Sequence, residues 1–145
     1  MKLYHRTPNP EAILREGFRD LRGSMDLSGV WLSAVPLDIG EGSKGPTVLS
    51  IDIPEEELVD FEVLEEGKPY REWCVPADLV NRFGPPAIHE DDFSGWTEAE
   101  IALYVARRRA SALPHLMAEA DALEARLPFL RRHGLLGRPE EDSPD

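Results

Sequence analysis

The chain has 145 residues, of which 16 are Lys or Arg and 28 are Asp or Glu, giving a formal charge of −12 at neutral pH. With 41% hydrophobic residues it has the apolar material for the core of one folded domain, which argues against a wholly disordered chain. Phosphate contacts depend on Lys and Arg, so the acidic balance argues against a nucleic-acid partner, and no apolar run approaches the roughly 18 residues of a membrane helix.

The single cysteine, Cys74, allows no intrachain disulfide and no cysteine cluster for zinc. The N-terminus MKLYHRT turns polar before a signal-peptide core can form, and both features point to a reducing, cytoplasmic setting.

In chain order, KLYH (2–5) alternates polar and apolar residues until Pro8 and Pro10 stop it, which predicts a brief strand. Asn9 ahead of Pro10 predicts an Asx N-cap with proline at the first helical position. Ala12, Ile13, Leu14 and Phe18 supply the apolar face of that helix, which should end near Gly17. GVWLS (29–33) and TVLSIDI (47–53) are β-branched runs bounded by Gly, Pro and Ser, hence strands, with PLDIGEGSKGP as the loop between them. After Pro54, Val59, Phe61 and Val63 alternate with Leu58, Asp60 and Glu62, the pattern of a half-buried strand. YREWCV (70–75) predicts another strand closed by Pro76, followed by ADLVNRF and the GPP break at 84–86.

From Thr97 the character changes. Thr97 and Glu100 make a capping box that opens a helix into RRRASA. Pro114 interrupts it and starts a second helix with Leu116, Ala120, Leu123 and Leu127 on one stripe. The organisation expected is an α+β core over 1–93, a helical segment of the same domain over 97–133, and a disordered acidic tail over 138–145. The late helices read as packing elements, with a docking surface for a protein partner as their alternative use.

Four segments, LYHRT (3–7), AILREGF (12–18), GVWLS (29–33) and YREWCVPADLVN (70–81), occur in an order and spacing that resemble the ADP-ribosyltransferase fold. The resemblance is to its His-Tyr-Glu branch, which includes diphtheria-type toxins and poly(ADP-ribose) polymerases, and it covers residues 3 to 81. It implies a split β-sheet core with C-terminal helices, NAD as co-substrate, no metal, and transfer of ADP-ribose to an acceptor that the sequence does not identify.

By the same resemblance, His5 would hydrogen-bond a ribose hydroxyl of NAD. Thr7 fits the family pattern, and Arg6 stands where the family has glycine and would offer backbone contacts to the nicotinamide carboxamide. Trp31 takes the place of a stacking tyrosine, keeping the flat π-face and losing the hydroxyl. Glu72 would be the catalytic carboxylate. Nicotinamide departs neutral from a cationic ring, so the barrier lies in the ribosyl oxocarbenium charge, which a carboxylate stabilises while orienting or deprotonating the acceptor. The side chains of His5, Trp31 and Glu72 should then converge on one cleft.

Other residues read as bland. Cys74 has no adjoining histidine in sequence and reads as a buried thiol. His89, His115 and His133 lack metal-ligand spacing, and HEDD (89–92) reads as a solvated loop. RRR (107–109) is too short for a nucleic-acid stripe, and GEGSKG lacks the GK[ST] ending of a P-loop and reads as a flexible loop over the cleft. Two alternatives stand beside the transferase reading. One is a non-catalytic binding module on the same fold. The other is an RNA 2′-phosphotransferase-like enzyme, which the acidic balance disfavours.

Overall fold

The computed structural model describes residues 1–38 and 44–139, and the chain divides into two compact units, Met1–Asp92 and Phe93–Asp145. The first contains β1 (Lys2–Thr7), α1 (Pro10–Glu16), β2 (Leu21–Arg22), β3 (Ser28–Ser33), β4 (Thr47–Asp52), β5 (Glu62–Val63), β6 (Glu72–Val75), α2 (Ala77–Val80) and β7 (Ala87–Asp91). Its strands form a seven-stranded antiparallel sheet in the order β5-β6-β3-β1-β4-β7, with β2 paired to the start of β3.

Alternation along these strands decides what each face carries. Leu3, Val30, Leu32, Leu49, Ile51, Trp73 and Val75 join one buried cluster with Phe18, which follows α1, and with Ala77 and Val80 of α2. Each such fully buried side chain contributes about 1.5–3 kcal/mol of transfer free energy. Their neighbours Tyr4, Arg6, Trp31, Ser33, Glu72 and Cys74 fall on the other face. Beneath the apolar face, Asn81 and Phe18 exchange hydrogen bonds: the Phe18 N–H donates to Asn81 Oδ1 at 2.8 Å and Asn81 Nδ2 donates to the Phe18 carbonyl at 3.0 Å.

The sheet is split. β1 and β4 pair through six consecutive positions, from Lys2↔Asp52 to Thr7↔Thr47, and β3 and β6 through four, from Val30↔Val75 to Ser33↔Glu72. Between these ladders, β1 and β3 pair at Tyr4↔Ser33 alone. Beyond Tyr4, the edge of β1 that looks toward β3 has no ladder partner among the described residues.

Three local expectations change. Residues 55–61 form two 3-10 turns, Glu55–Glu57 and Val59–Phe61, ahead of the two-residue β5, in place of one strand. Leu58 and Phe61 are three residues apart, the repeat of a 3-10 turn. The Phe61 N–H bonds back to the Leu58 carbonyl at 3.0 Å, burying Leu58 and leaving Val59 71% exposed. The HEDD segment is largely strand rather than loop, since β7 runs to Asp91, and buried Asp91 accepts a hydrogen bond from Thr47 Oγ1. Asn9 does sit at the N-cap of α1, but its side chain makes no capping bond; its own N–H donates to Thr7 Oγ1 at 3.0 Å.

The second unit holds α3 (Glu98–Ala110) and α4 (Pro114–Arg132). The capping box closes as its chemistry requires: the Glu100 N–H donates to Thr97 Oγ1 at 3.1 Å and the Thr97 N–H to Glu100 Oε1 at 3.2 Å. Ala120 and Leu123 are buried and Leu116 and Leu127 half-buried. Arg108 pairs with Glu119, and Arg109 with Asp121 and Glu124, so two of the three consecutive arginines tie α3 to α4. Among the described residues, no helix is long and apolar enough to cross a membrane. Residues 140–145 of the acidic tail and 39–43, which include the first four of GEGSKG (40–45), lie outside the described residues, and with them the expectations of a disordered tail and a flexible loop over the cleft.

Candidate functional site at the split sheet

Glu72 opens β6 opposite Ser33 on β3. Its side chain is 8% exposed, and the Lys68 ammonium lies 2.6 Å from its Oε1. Lys68, 31% exposed, is equally close to Glu65 Oε2 at 2.6 Å and lies 5.6 Å from the centre of the Tyr70 ring. Hydrogen bonds to Glu65 and then Glu72 hold its pKa well above the ordinary lysine range. Arg71 turns elsewhere, bonding Glu62 and Glu55 and stacking over the Trp73 ring at 4.9 Å.

Trp31 shares Glu72's face. It pairs with Cys74, two residues along β6, so indole and carboxylate are diagonal neighbours. The indole crosses directly over Gly23, where a Cβ would come within 2.3 Å of Trp31 Nε1, so only glycine fits. The Nε1–H is buried and has no acceptor among the described residues. Burial, with a smaller contribution from the Asp20 charge, pushes the Cys74 thiol up, so the sulfur stays protonated at neutral pH and is no nucleophile.

His5 Nδ1 lies 2.8 Å from the backbone carbonyl oxygen of Trp31. A carbonyl only accepts, so Nδ1 carries the proton. Burial lowers the pKa below 6.5 against the opposing pull of that hydrogen bond, so the ring is neutral and its Nε2 presents a lone pair suited to a hydroxyl donor. The ring also packs edge-on against Phe18, centroids 5.4 Å apart. Strand parity places His5 with Leu3 and Leu49 on the apolar face. The structure therefore brings Trp31 and Glu72 together on one face, whereas His5 stands on the other and reaches them only through the Trp31 backbone across the split.

The remaining two expected contact residues have side chains already engaged. The Arg6 guanidinium, 7% exposed, donates from Nε to the Leu37 carbonyl at 2.7 Å and from Nη1 to the Gly45 carbonyl at 2.7 Å, and lies 3.4 Å from Asp92. It thus fastens both ends of the β3–β4 loop. Gly45 meets that demand at φ +115°, in a position where a Cβ would lie 2.2 Å from the Pro8 nitrogen. Thr7 Oγ1 is occupied by the Asn9 N–H. What Arg6 and Thr7 can still offer a ligand is the backbone edge of β1.

Sequence reasoning missed Lys68. The chain has only three lysines, and one of them stands four residues before Glu72 in an otherwise acidic stretch. That scarcity was the available signal. Tyr4 and Ser33, in line with Glu72 across three strands, were visible only through the register. Among the described residues, no group of three or more His, Cys, Asp or Glu could hold a metal ion. Comparison with family models, with curated proteins and with solved structures returned no match.

Proposed function

We propose that the split-sheet site binds NAD and that the protein is an ADP-ribosyltransferase, moving ADP-ribose to a protein or small-molecule acceptor. The observation that carries this reading is the placement of a buried carboxylate, Glu72, and the flat indole of Trp31 on one sheet face, with the Trp31 strand β3 lying between that of Glu72 and that of His5. The indole supplies a stacking surface for the nicotinamide ring, and the open edge of β1 beyond Tyr4 supplies backbone groups for its carboxamide. Breaking the C1′–N bond releases neutral nicotinamide and leaves positive charge on the ribosyl carbon, which Glu72 stabilises. An acceptor hydroxyl or amine then bonds to C1′, and Glu72 takes up the proton it sheds.

The position of His5 on the apolar face and the engagement of Arg6 and Thr7 favour a second reading, a non-catalytic module that retains nucleotide binding. Incubation with labelled NAD and a lysate, beside Glu72→Gln, separates the two. Glu72→Gln keeps the size and one acceptor oxygen but loses the full charge, so transfer should fall about a hundredfold or more, on the order of 3 kcal/mol, with NAD affinity within a few-fold by calorimetry. An unchanged rate would remove Glu72 from the chemistry. NAD binding without turnover by the parent would establish the module, and absence of binding would end both readings.

A further inference from the structure

Every residue of β6 is buried, and Glu72 is the only charged one among them. A buried carboxylate needs a counter-charge, and it is met by Lys68, the more exposed partner, which lies between β5 and β6 outside any strand or helix. We propose that Lys68 is an exchangeable counter-ion: it holds the cation position at Glu72 in the free protein and yields it to a flat organic cation of the ligand, so that ligand charge determines specificity. The proposal rests on the reading of Glu72 as the carboxylate that faces NAD.

Three features favour exchange over a fixed ion pair. First, Lys68 already has a second carboxylate, Glu65, at 2.6 Å; Glu65 is 43% exposed, so on leaving Glu72 the ammonium keeps one partner at the surface and does not become an unpaired charge. Second, four rotatable bonds let the ammonium move without disturbing β6. Third, Trp31 is diagonal to Glu72 on the same face, so a ligand cation that takes the place of Lys68 at the carboxylate would have an aromatic residue on the neighbouring strand. A carboxylate next to an aromatic face selects a planar cation through charge and π-stacking together, and an N-alkylpyridinium is that class of group. The nicotinamide ring of oxidised NAD belongs to it and that of reduced NADH does not. As the C1′–N bond breaks, the charge passes from ring to ribosyl carbon, so Glu72 faces a cation before and during the reaction, and Lys68 must be away from it throughout.

Calorimetry at pH 8, well above the carboxylate range, tests this with NAD and NADH as probes against the parent protein, Lys68→Met and Lys68→Arg. Removing the competing ammonium should tighten NAD binding about tenfold in Lys68→Met and leave NADH unchanged, while Lys68→Arg should retain the parent's affinities. Equal gains for both nucleotides, or weaker NAD binding in Lys68→Met, would overturn the exchange. Should Lys68→Met lose its fold, Lys68→Gln, which still donates to Glu72, carries the test with a smaller gain for NAD alone. The cation 1-methylnicotinamide, set against neutral nicotinamide, separates the exchange at Glu72 from the binding of NAD. If NAD binds parent and Lys68→Met alike, the exchange fails and the NAD reading stands. If neither nucleotide binds, but 1-methylnicotinamide binds Lys68→Met more tightly than the parent, the exchange stands and the NAD reading fails. Absence of binding by every probe ends both.

Discussion

A histidine whose Nδ1–H is held by the Trp31 carbonyl can accept a hydrogen bond at Nε2 only while the ring is neutral, so the burial of His5 bears on function and on stability alike. Because its folded-state pKa lies below the unfolded 6.5, the folded protein binds fewer protons than the unfolded chain in the interval between the two values. The stability held by the neutral ring is complete above pH 6.5 and drains as the pH falls from there toward the folded-state value. Urea midpoints should therefore drop between pH 7 and 5, and drop less in His5→Gln, which cannot take up that proton. An equally steep loss in His5→Gln would place the responsible group elsewhere. The strand that carries His5 was legible from its alternation, but it does not end at His5: Arg6 and Thr7 continue the ladder with Val48 and Thr47 up to Pro8. The face of His5 was not legible, because parity across the sheet depends on one long-range register pair, Tyr4↔Ser33, that no local pattern encodes.

At the scale of elements, the same contrast separates local from tertiary causes. The capping box at Thr97, the Pro114 start of α4 and the β-branched strands β3 and β4 are written in contiguous residues, and they form where the pattern puts them. Residues 58–63 satisfied a period of two and a spacing of three at once, and the short-range bonds of the 3-10 turns prevailed over a strand that would have needed a partner along its length. Strand β7 gave little apolar signal because it lies at the sheet edge with His89 and Glu90 exposed and a buried Asp91 at its end, its place fixed by pairing with β4. Arg6 is the clearest case of a tertiary role invisible in sequence, since it joins Leu37 to Gly45 from a strand distant from both. Arg6→Met leaves those carbonyls without their donor in a buried setting and should cost about 2–4 kcal/mol, read as a lower urea midpoint at unchanged slope. Arg6→Lys keeps the charge without the planar fork and should recover less than half of that loss. A midpoint unchanged in Arg6→Met would show that the loop ends are held by something other than the guanidinium.

Over the whole molecule, an excess of twelve negative charges makes self-repulsion the dominant electrostatic contribution, because exposed ion pairs such as Arg109–Asp121 each contribute only about 0–1 kcal/mol. Raising NaCl from 10 mM to 0.5 M, which shortens the screening length from about 30 Å to less than 8 Å, should raise the melting temperature followed by circular dichroism. A fall would mean that the ion pairs outweigh the repulsion. The acidity was plain in the composition, and the change of character read between residues 93 and 97 lies close to the boundary between the two units at Asp92 and Phe93. One consequence of the split remains in the first unit. Two half-sheets joined by one register pair, Tyr4↔Ser33, and the His5–Trp31 bond beside it behave as a pair of plates on a short stitch: many ladder bonds resist shear within each plate, and few resist their parting. In a ladder, alternate backbone groups point away from the partner strand, so beyond the stitch β1 turns amide donors and acceptors toward the seam. A guest bound there by its own amide would act as a second stitch. Occupancy of the seam and the mechanical stiffness of the sheet would then be the same quantity.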